Sequence, residues 1–324
     1  MKAAIYRECG ASDVLSVEEI ETPLPEPGQV RARIVFSGVN PTDWKSRSGA
    51  TASRPLHDFQ VPHHDGSGVI DAVGEGVTDR HVGERVWVYL AAAGNRYGTA
   101  AEYSVVPAEL TVPLPVNASD ELGASLGVPA VTAAHCLGGD PRPLSGASVL
   151  VAGGAGAVGH FAIELAKQAG ARVVTTVSSE DKAELARAAG ADLVVNYRQP
   201  GAADLVKSFA SQFDRVIEVA LGANLDLDLA VSGPGTVIVV YASEDRDPVL
   251  PTRRLMTANA TLQFVLLYGV PKAQLAKAVA WTSNALAAGA LSELPVHRYF
   301  LDDVAAAQDA VQHGAVGKVL VVPR

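Results

Sequence analysis

The apolar residues follow two different patterns along the chain. Up to residue 120, short apolar and β-branched runs, which include residues 30–36, 68–73 and 85–88, alternate with Gly- and Pro-containing turns such as residues 23–25 and 75–76. Runs of this length with this punctuation are typical of strands. The first part of the chain is therefore predicted to be a mostly β, irregular, barrel-like module.

After Ser119, predicted strands alternate with predicted helices. The strands are short apolar runs at residues 148–152, 173–177, 193–196, 215–219, 236–241 and 261–266. Apolar residues recur at helical spacing from Val158, and residues 178–189 follow the second strand as a helix that ends at Gly190. Six buried strands joined by helices predict an α/β fold whose parallel sheet is covered by helices on both faces.

The last part of the chain contains a predicted helix at residues 275–288 and a closing strand at residues 319–322. We expect this tail to return to the first module. Because 324 residues exceed what one hydrophobic core comfortably serves, the sequence favours two domains. The predicted parts are a first domain at residues 1–121, a second at residues 122–268, and the returning segment at residues 269–324.

Composition and charge narrow the class of protein. Hydrophobic residues make up 48% of the chain and charged residues 19%, which is typical of globular proteins, and the net charge of −9 argues against a nucleic-acid partner. Cys9 and Cys136 cannot form a disulfide framework or a thiolate metal site, which favours a reducing, cytoplasmic location. The sequence begins with a predicted strand and holds no apolar run of about 18 residues, so we expect no membrane segment.

A glycine-rich turn joins the strand at residues 148–152 to the helix that follows it. Gly154, Gly156 and Gly159 have the spacing G-x-G-x-x-G, in which the first glycine permits a tight turn, the second lets the backbone approach a pyrophosphate and the third lets the helix pack closely. The alternative is a glycine turn without a ligand, but the surrounding strand, helix and repeated βα units favour a bound dinucleotide. The predicted cofactor contacts in this turn are Gly154, Ala155, Gly156, Ala157, Val158 and Gly159.

The end of the second strand distinguishes the two nicotinamide dinucleotides. Folds specific for NAD usually carry Asp or Glu there, about 20 residues past the motif, to bind the ribose 2′-hydroxyl. This chain has Ser178 and Ser179, no carboxylate before Glu180, Lys182 one turn later, and Tyr197 after the third strand. Lys182 alone would be read as a solvated helix residue. Hydroxyl groups and an ammonium without an acid suit a 2′-phosphate, so the sequence favours NADP(H).

Several short motifs, taken in order, resemble one family over nearly the whole chain. They lie at residues 39–43, 73–77, 82–86, 101–103, 190–192, 196–197 and 317–319, together with the glycine turn. The chain resembles the zinc-free medium-chain dehydrogenases/reductases of the quinone oxidoreductase (ζ-crystallin-like) group. The resemblance implies a GroES-like substrate domain, a Rossmann cofactor domain with a doubly wound six-stranded sheet, and an active site in the cleft between them. It also implies a homodimer formed through the cofactor-domain sheets, for which the apolar edge strand at residues 261–266 is a candidate.

Zinc-dependent alcohol dehydrogenases are the nearest alternative, and the residues argue against them. His64 and Asp65 resemble the His-Glu step of the zinc enzymes, and His63 adds a second imidazole. A catalytic zinc needs three protein ligands and an open fourth position. This chain has Asn40 in place of the first cysteine and an apolar stretch at residues 127–129 in place of the second, and it lacks the four-cysteine structural lobe. We therefore expect no metal, with His63 and His64 lining a turn or the cleft.

The remaining candidates in the first domain are two polar side chains and an aromatic one. A neutral amide at Asn40 can donate a hydrogen bond to the nicotinamide or to the acceptor oxygen, although it can equally bond its own backbone. Trp44 suits stacking on a flat quinone ring or filling the core. His63 is the third predicted substrate contact.

The remaining candidates in the second domain and the tail depend more on the resemblance. Thr132 matches a family segment near the nicotinamide ribose, but by itself it is a helix residue. Tyr241 follows the fifth strand on the side where ligands of such sheets bind. Gly317 and Lys318 are expected near the cofactor phosphates by family analogy, the alternative being a surface lysine.

These residues predict an NADPH-dependent reductase of quinones or α,β-unsaturated carbonyls. Without a metal to polarise an alcohol, the site suits acceptors that are already electrophilic, and catalysis consists mostly of positioning. Two other interpretations remain open. The first is a zinc alcohol dehydrogenase, and the second is a non-catalytic NADPH-binding sensor or crystallin-like protein.

Overall fold

The computed structural model describes residues 1–50, 58–244 and 246–324. The chain forms two compact units. The first comprises Met1–Val128 together with Glu293–Arg324, and the second comprises Pro129–Ser292. The chain passes from the first unit to the second within a helix, α3 (Gly127–Gly138).

The first unit is mostly β. Its strands are β1 (Lys2–Ile5), β2 (Ser16–Glu19), β3 (Gln29–Val39), β4 (Asp65–Val73), β5 (Arg85–Val88), β6 (Tyr103–Pro107) and β7 (Thr111–Pro113), and its first helices are α1 (Pro41–Ser48) and α2 (Asp120–Gly123). The second unit contributes β8 (Ser148–Ala152), α4 (Ala157–Gln168), β9 (Arg172–Val177), α5 (Glu180–Ala188), β10 (Leu193–Asn196), α6 (Ala202–Phe209), β11 (Arg215–Glu218), α7 (Leu221–Ala230), β12 (Val237–Val240), α8 (Thr252–Ala258), β13 (Thr261–Phe264) and α9 (Lys272–Ala287). The chain then returns to the first unit with β14 (Val296–Phe300), α10 (Val304–Gln312) and β15 (Lys318–Val322).

The strands of the first unit form a mixed sheet in the order β14-β15-β3-β4-β5-β7, with β6 also paired to β3, and a separate β1-β2 pair. β15 runs antiparallel to β3 with Leu320 opposite Gly38, and on its other side β3 pairs with β4, where Gly38 faces Asp65. Two buried apolar clusters in this unit hold the sheet against its neighbouring segments. The ends of β15, β3 and β4 therefore lie side by side.

The second unit contains the predicted parallel sheet, in the order β10-β9-β8-β11-β12-β13. Its central strand β8 is buried along its whole length, as expected for a strand covered on both faces. From β8 the chain builds outward through β9 and β10, then returns to β11 and builds the other way. Because parallel crossovers are right-handed, the two directions place helices on opposite faces, so the doubly wound prediction is confirmed.

The boundaries differ from the predicted ones in two places. The first unit extends to Val128, whereas the prediction ended it at residue 121. The tail leaves the second unit at Glu293 and not at residue 269, because α9 packs against α4 and so belongs to the second unit. Only β14, α10 and β15 return to the first unit. Within the described ranges, no helix is long and apolar enough to cross a membrane.

Candidate functional site

The glycine turn lies between β8 and α4, as predicted, and it also includes Gly153, which directly precedes the G-x-G-x-x-G motif. The positive φ of the tight turn belongs to Gly153 (φ 72°) and not to Gly154. The N–H groups of Gly153 and Gly154 both donate to the carbonyl of Thr176, at 3.1 and 3.2 Å. Gly153 therefore adopts the left-handed conformation of the turn, and Gly154 is the position at which the turn leaves no room for a side chain.

A side chain at each motif glycine would meet different surroundings. A Cβ at Gly154 would lie 2.1 Å from Thr175 Oγ1, and a Cβ at Gly159 would lie 2.4 Å from the Gly153 carbonyl oxygen. A Cβ at the exposed Gly156 would come no closer than 3.4 Å, again to the Gly153 oxygen. Packing within the chain explains two of the glycines, whereas Gly156 leaves open space that a ligand pressed against the backbone would use.

Gly156 is also the N-cap of α4. Its carbonyl accepts the first intrahelical hydrogen bond, from His160 N, at 2.8 Å. The first-turn N–H groups of Ala157, Val158 and Gly159 have no carbonyl within the helix to receive them, and the helix end carries a partial positive charge. This arrangement fits a pyrophosphate.

The predicted 2′-phosphate residues lie together at the ends of β9 and β10. Lys182 Nζ donates to Ser178 Oγ at 3.2 Å, and Ser179 caps α5. Tyr197 N donates to the Val177 carbonyl at 3.0 Å, which places the half-exposed Tyr197 beside the end of β9. Glu180, the first carboxylate in the sequence after β9, is ion-paired with Arg187 at 2.7 Å. The corner thus offers hydroxyl groups and an ammonium to an anion.

Two further candidates lie in the second unit. Tyr241 directly follows β12, and its backbone N donates to the Glu218 carbonyl at 3.1 Å. Burial raises the pKa of its phenol, so it stays protonated. Thr132 is buried in α3. Tyr241 therefore lies at the carboxyl edge of the sheet, the edge at which the glycine turn begins, and Thr132 keeps its predicted helical position.

In the first unit, Asn40 follows β3, caps α1 and is held at every polar atom. Its backbone N donates to Asp43 Oδ2 at 2.7 Å, and its Nδ2 donates to Asp65 Oδ2 at 2.7 Å. Its Oδ1 accepts from Lys318 Nζ at 2.7 Å. The second Asp65 oxygen accepts from Val128 N, also at 2.7 Å. The structure thus joins Asn40 and Lys318, two predicted site residues that are far apart in the sequence.

Lys318 is neither a surface lysine nor, from its contacts, a phosphate ligand. Its side chain is 2% exposed, and its Nζ lies 3.6 Å from Asp65 Oδ2 in addition to its bond with Asn40. Burial lowers the pKa of Lys318 and raises the pKa of Asp65. The preceding Gly317 has φ 100°, and a Cβ there would lie 2.1 Å from the Pro295 carbonyl oxygen. We therefore assign Gly317 to the packing of β15 against the segment before β14. Lys318 belongs to a cluster with Asn40 and Asp65, the Asn40 cluster.

His63 is a structural residue rather than a substrate contact. It is buried at a positive φ of 74°, and burial lowers its pKa to about 3. Its Nδ1 lies 2.9 Å from Ser37 Oγ, and its Nε2 lies 3.2 Å from Gln308 Nε2. Gln308 in turn accepts from Arg47 Nε at 2.6 Å. Both ring nitrogens are thus used to connect β3 with α10 and α1.

Trp44 lies on α1 and is half-buried, with the Lys45 ammonium 5.8 Å from its ring centre. Trp44 is therefore only partly buried and is not a core residue. The prediction of stacking on an acceptor remains a prediction.

The structure also contains a buried acid pair that the sequence analysis missed. Glu218 ends β11, and its carboxylate accepts from the side chain of Asn224 at 2.9 Å and from the backbone of Ala220. Asp228 lies one turn further along α7, and burial beside Glu218 raises its pKa to about 9. The pair therefore keeps a proton at neutral pH. The sequence offered one local indication of this pair, which was the i, i+4 spacing of Asn224 and Asp228 after the acid Glu218 at the end of a strand.

A cluster of Ser292, His160 and Glu164 has the residue types of a nucleophilic triad but not its geometry. His160 Nε2 lies 3.0 Å from Ser292 Oγ and 3.2 Å from Glu164 Oε1. A triad needs the acid on the opposite ring nitrogen from the nucleophile, whereas here both share one nitrogen. The Ser292 hydroxyl itself donates to Glu164. The cluster ties the segment after α9 to α4.

Among the described residues, no group of three His, Cys, Asp or Glu side chains is arranged to hold a metal ion. His64, the candidate ligand of the zinc alternative, is buried, and burial lowers its pKa to about 4.

The fold and the glycine turn define a class, the two-domain nicotinamide-dinucleotide-binding dehydrogenases and reductases. The family model described as Zinc-binding dehydrogenase matches residues 157–284, and the model described as Alcohol dehydrogenase GroES-like domain matches residues 26–116. A quinone oxidoreductase from Lama guanicoe is 30% identical, covering 99% of this chain and 97% of that protein. The chain belongs to the quinone oxidoreductase family of the medium-chain dehydrogenases/reductases.

Other similar proteins and structures carry the names of several different activities. An NADPH-dependent alkenal/one oxidoreductase from Arabidopsis thaliana is 33% identical over 76% of this chain and 67% of its own length. A mycobacterial structure complexed with NADPH has a TM-score of 0.86 at 28% identity, and an NAD-dependent alcohol dehydrogenase has a TM-score of 0.88 at 26% identity. The former covers 100% of both chains, and the latter covers 99% of both.

Proposed function

We propose that this protein is an NADPH-dependent, zinc-independent reductase that transfers a hydride to a quinone or to an α,β-unsaturated carbonyl. The observation that carries the proposal is the pair of anion sites in the second unit. The turn around Gly156 suits a pyrophosphate, and the corner of Ser178, Lys182 and Tyr197 suits a 2′-phosphate. Similarity to a quinone oxidoreductase, to an alkenal/one oxidoreductase and to a structure solved with NADPH supports the same activity.

When bound, NADPH supplies the hydride. The protein supplies the binding groups: backbone N–H groups at the start of α4 hold the pyrophosphate, and Lys182 neutralises the 2′-phosphate. Tyr241 and Thr132 are proposed contacts to the nicotinamide half, and Trp44 is a proposed stacking surface for the acceptor. Asn40 is the proposed donor to the acceptor oxygen, because an amide donates without titrating near neutral pH.

Charge in the Asn40 cluster argues for zinc independence. In the zinc enzymes, a cysteine thiolate takes the place of Asn40, and the residues in the places of His64 and Asp65 lie beside the metal. Here the Lys318 ammonium already lies 3.6 Å from the Asp65 carboxylate and binds Asn40. A divalent cation placed here would be repelled by that ammonium. The alcohol dehydrogenase alternative is therefore the weaker one.

We also propose that the protein is a homodimer whose subunits pair through β13. This strand is an edge of the six-stranded sheet and ends at Phe264, which is 65% exposed. Leu266, just beyond the strand, is 67% exposed. An apolar edge with free backbone groups favours pairing with a second copy.

The activity is tested by following NADPH oxidation at 340 nm over a panel of quinones, enals and enones, with and without a chelator. We expect turnover with at least one acceptor, unchanged by the chelator and much slower with NADH. Chelator-sensitive alcohol oxidation together with one tightly held zinc per chain would establish the alcohol dehydrogenase alternative. Tight NADPH binding without turnover of any acceptor would establish the binding-protein alternative.

A further inference from the structure

Three neighbouring strands bring one cation, one anion and one amide together inside the first unit. β15 pairs with β3 so that Val319 faces Val39, and this register, carried one residue further, places Lys318 beside Asn40. On the other side of β3, β4 begins with Asp65 opposite Gly38. All three side chains are buried. The cluster is thus a direct product of sheet register.

The two charged groups allow the Asn40 amide only one orientation. Its oxygen faces the Lys318 ammonium at 2.7 Å, and its nitrogen faces the Asp65 carboxylate at 2.7 Å. Rotating the amide by 180° would place its NH₂ group against the ammonium and its oxygen against the carboxylate. Each such like-with-like contact loses a charge-assisted hydrogen bond, so the observed orientation is strongly preferred.

Two glycines make room for this arrangement. A Cβ at Gly38 would lie 3.2 Å from Lys318 Cε and 2.1 Å from the Ala124 carbonyl oxygen. A Cβ at Gly127 would lie 2.2 Å from Asp65 Oδ1, the oxygen that accepts from Val128 N. Both charged side chains therefore lie in positions that the surrounding backbone keeps open.

The ammonium also changes the chemistry of the amide. A cation bound to the oxygen of an amide withdraws electron density from its nitrogen and strengthens the remaining N–H donor. Within the described ranges, Asn40 Nδ2 donates one of its two hydrogens to Asp65, and the second is the one that would meet an acceptor oxygen. Lys318 thus acts on the hydrogen that Asn40 would offer to an acceptor oxygen.

We propose that Lys318, with Asp65 as its counter-ion, is a positioning residue that orients and polarises the Asn40 amide for binding the acceptor oxygen. This inference rests on the proposed function of Asn40. Lys318 then acts at the acceptor end of the reaction and not at the cofactor phosphates, where the family resemblance had placed it.

Steady-state kinetics with NADPH and the best quinone or enone test this assignment. Lys318→Met should lower kcat by about 10- to 100-fold, the effect of losing a hydrogen bond to a charged group, and should leave the KM for NADPH within about twofold. Asn40→Ala should lower kcat to a similar extent. The double variant should be no slower than Asn40→Ala alone, because Lys318 acts through Asn40. Additive losses, or a Lys318→Met effect confined to the KM for NADPH, would overturn the proposal.

A matched control and a charge-neutral variant separate positioning from folding. Arg31→Met removes another mostly buried cation of the same sheet, one that lies on β3 and is paired with Asp71 at 2.9 Å, and it should lower thermal stability without changing kcat. Should Lys318→Met fail to fold with Asp65 unpaired, the Lys318→Met/Asp65→Asn variant removes both charges and should still lose kcat. An equal loss of kcat in Arg31→Met, or full activity in the neutral double variant, would contradict the proposal.

A spectroscopic measurement tests the inference apart from activity. The Asn40 side-chain ¹H–¹⁵N signals, assigned by their loss in Asn40→Ala, should shift in Lys318→Met and stay in place in Arg31→Met. Unchanged Asn40 signals in Lys318→Met would refute the positioning role even in an active enzyme. If the wild-type protein turns over no quinone or enone, the proposed function fails, and the shift of these signals still decides whether Lys318 orients Asn40.

Discussion

At the scale of single residues, the glycine turn separates a position that the fold needs from one that a ligand needs. Gly156→Ala adds a methyl group that has room in the protein alone but projects from the exposed surface of the turn. We expect its melting temperature to stay near that of the wild type, while the Kd for NADPH rises at least about tenfold because the pyrophosphate loses close backbone contact. Thermal unfolding and a fluorescence titration measure the two effects.

Gly154→Ala is the control for that variant. Its methyl group would lie 2.1 Å from Thr175 Oγ1, so it should lower the stability of the second unit by about 1–3 kcal/mol through overpacking. Equal melting temperatures for the two variants, or unchanged NADPH affinity in Gly156→Ala, would contradict the division of roles.

Lys182 gives a second prediction at this scale. Lys182→Ala should raise the KM for NADPH about tenfold or more through loss of a charge-assisted contact, and should leave the KM for NADH nearly unchanged. Lys207→Ala, which removes a solvated lysine on α6 of the same unit, should change neither value. Equal effects of Lys182→Ala on both cofactors would argue against a 2′-phosphate pocket.

The residues that local sequence predicted are those whose role depends on near neighbours. Gly156 was identifiable because its strand, turn and helix are adjacent in the sequence. Lys318, which the family resemblance placed near the cofactor phosphates, binds Asn40, 278 positions away, and no periodicity in the sequence reveals a sheet register over that distance. His63 was misassigned because Gln308, which contacts its Nε2, comes from the distant C-terminal part of the chain.

At the scale of elements, the six parallel strands were predicted to within two residues at each end, because continuous apolar runs carry a strong signal. It was harder to predict which unit a helix packs against than to predict that the helix exists. The helix α9 was expected from its apolar pattern, but that pattern does not say which surface the helix covers, and α9 packs on α4 in the second unit. The acid pair of β11 and α7 escaped notice because buried carboxyls look like surface ones in a sequence.

That acid pair predicts how stability depends on pH. The folded protein keeps the Asp228 proton up to a pKa of about 9, whereas the unfolded chain releases it near the ordinary value of 3.8. Unfolding therefore releases a proton between these limits, and the stability of the second unit falls as pH rises through them. Asp228→Asn should remove this dependence and melt higher than the wild type at pH 8–9.

Melting temperatures measured from pH 5 to pH 9 provide the test. Asp226→Asn is the matched control, because Asp226 is an exposed carboxylate on the same helix, and it should leave the pH dependence unchanged. Parallel pH profiles for the wild type and Asp228→Asn would show that Asp228 is not protonated in the folded state.

At the scale of the whole molecule, the exposed edge β13 predicts the oligomeric state. Light scattering after gel filtration should give twice the chain mass of 33.5 kDa for the wild type. The double variant Phe264→Asp/Leu266→Asp should give a folded monomer, because charges on an edge strand oppose pairing. Leu205→Asp places a charge on a half-exposed position of α6, which packs on β10 at the opposite edge of the sheet, and should remain dimeric. A monomeric wild type would refute this interface.

The position of β15 in the first unit's sheet has a consequence for how the protein is made. β15 lies between β14 and β3, yet it is synthesised after the entire second unit. During translation, Asp65 therefore lacks its counter-ion Lys318, and β3 lacks its neighbour β15, until the end of the chain is made. Residues 129–292 can already fold as a unit by then. We expect a nascent chain stopped before β14 to hold a folded second unit beside an open, aggregation-prone sheet, which gives chaperones a defined interval in which to act.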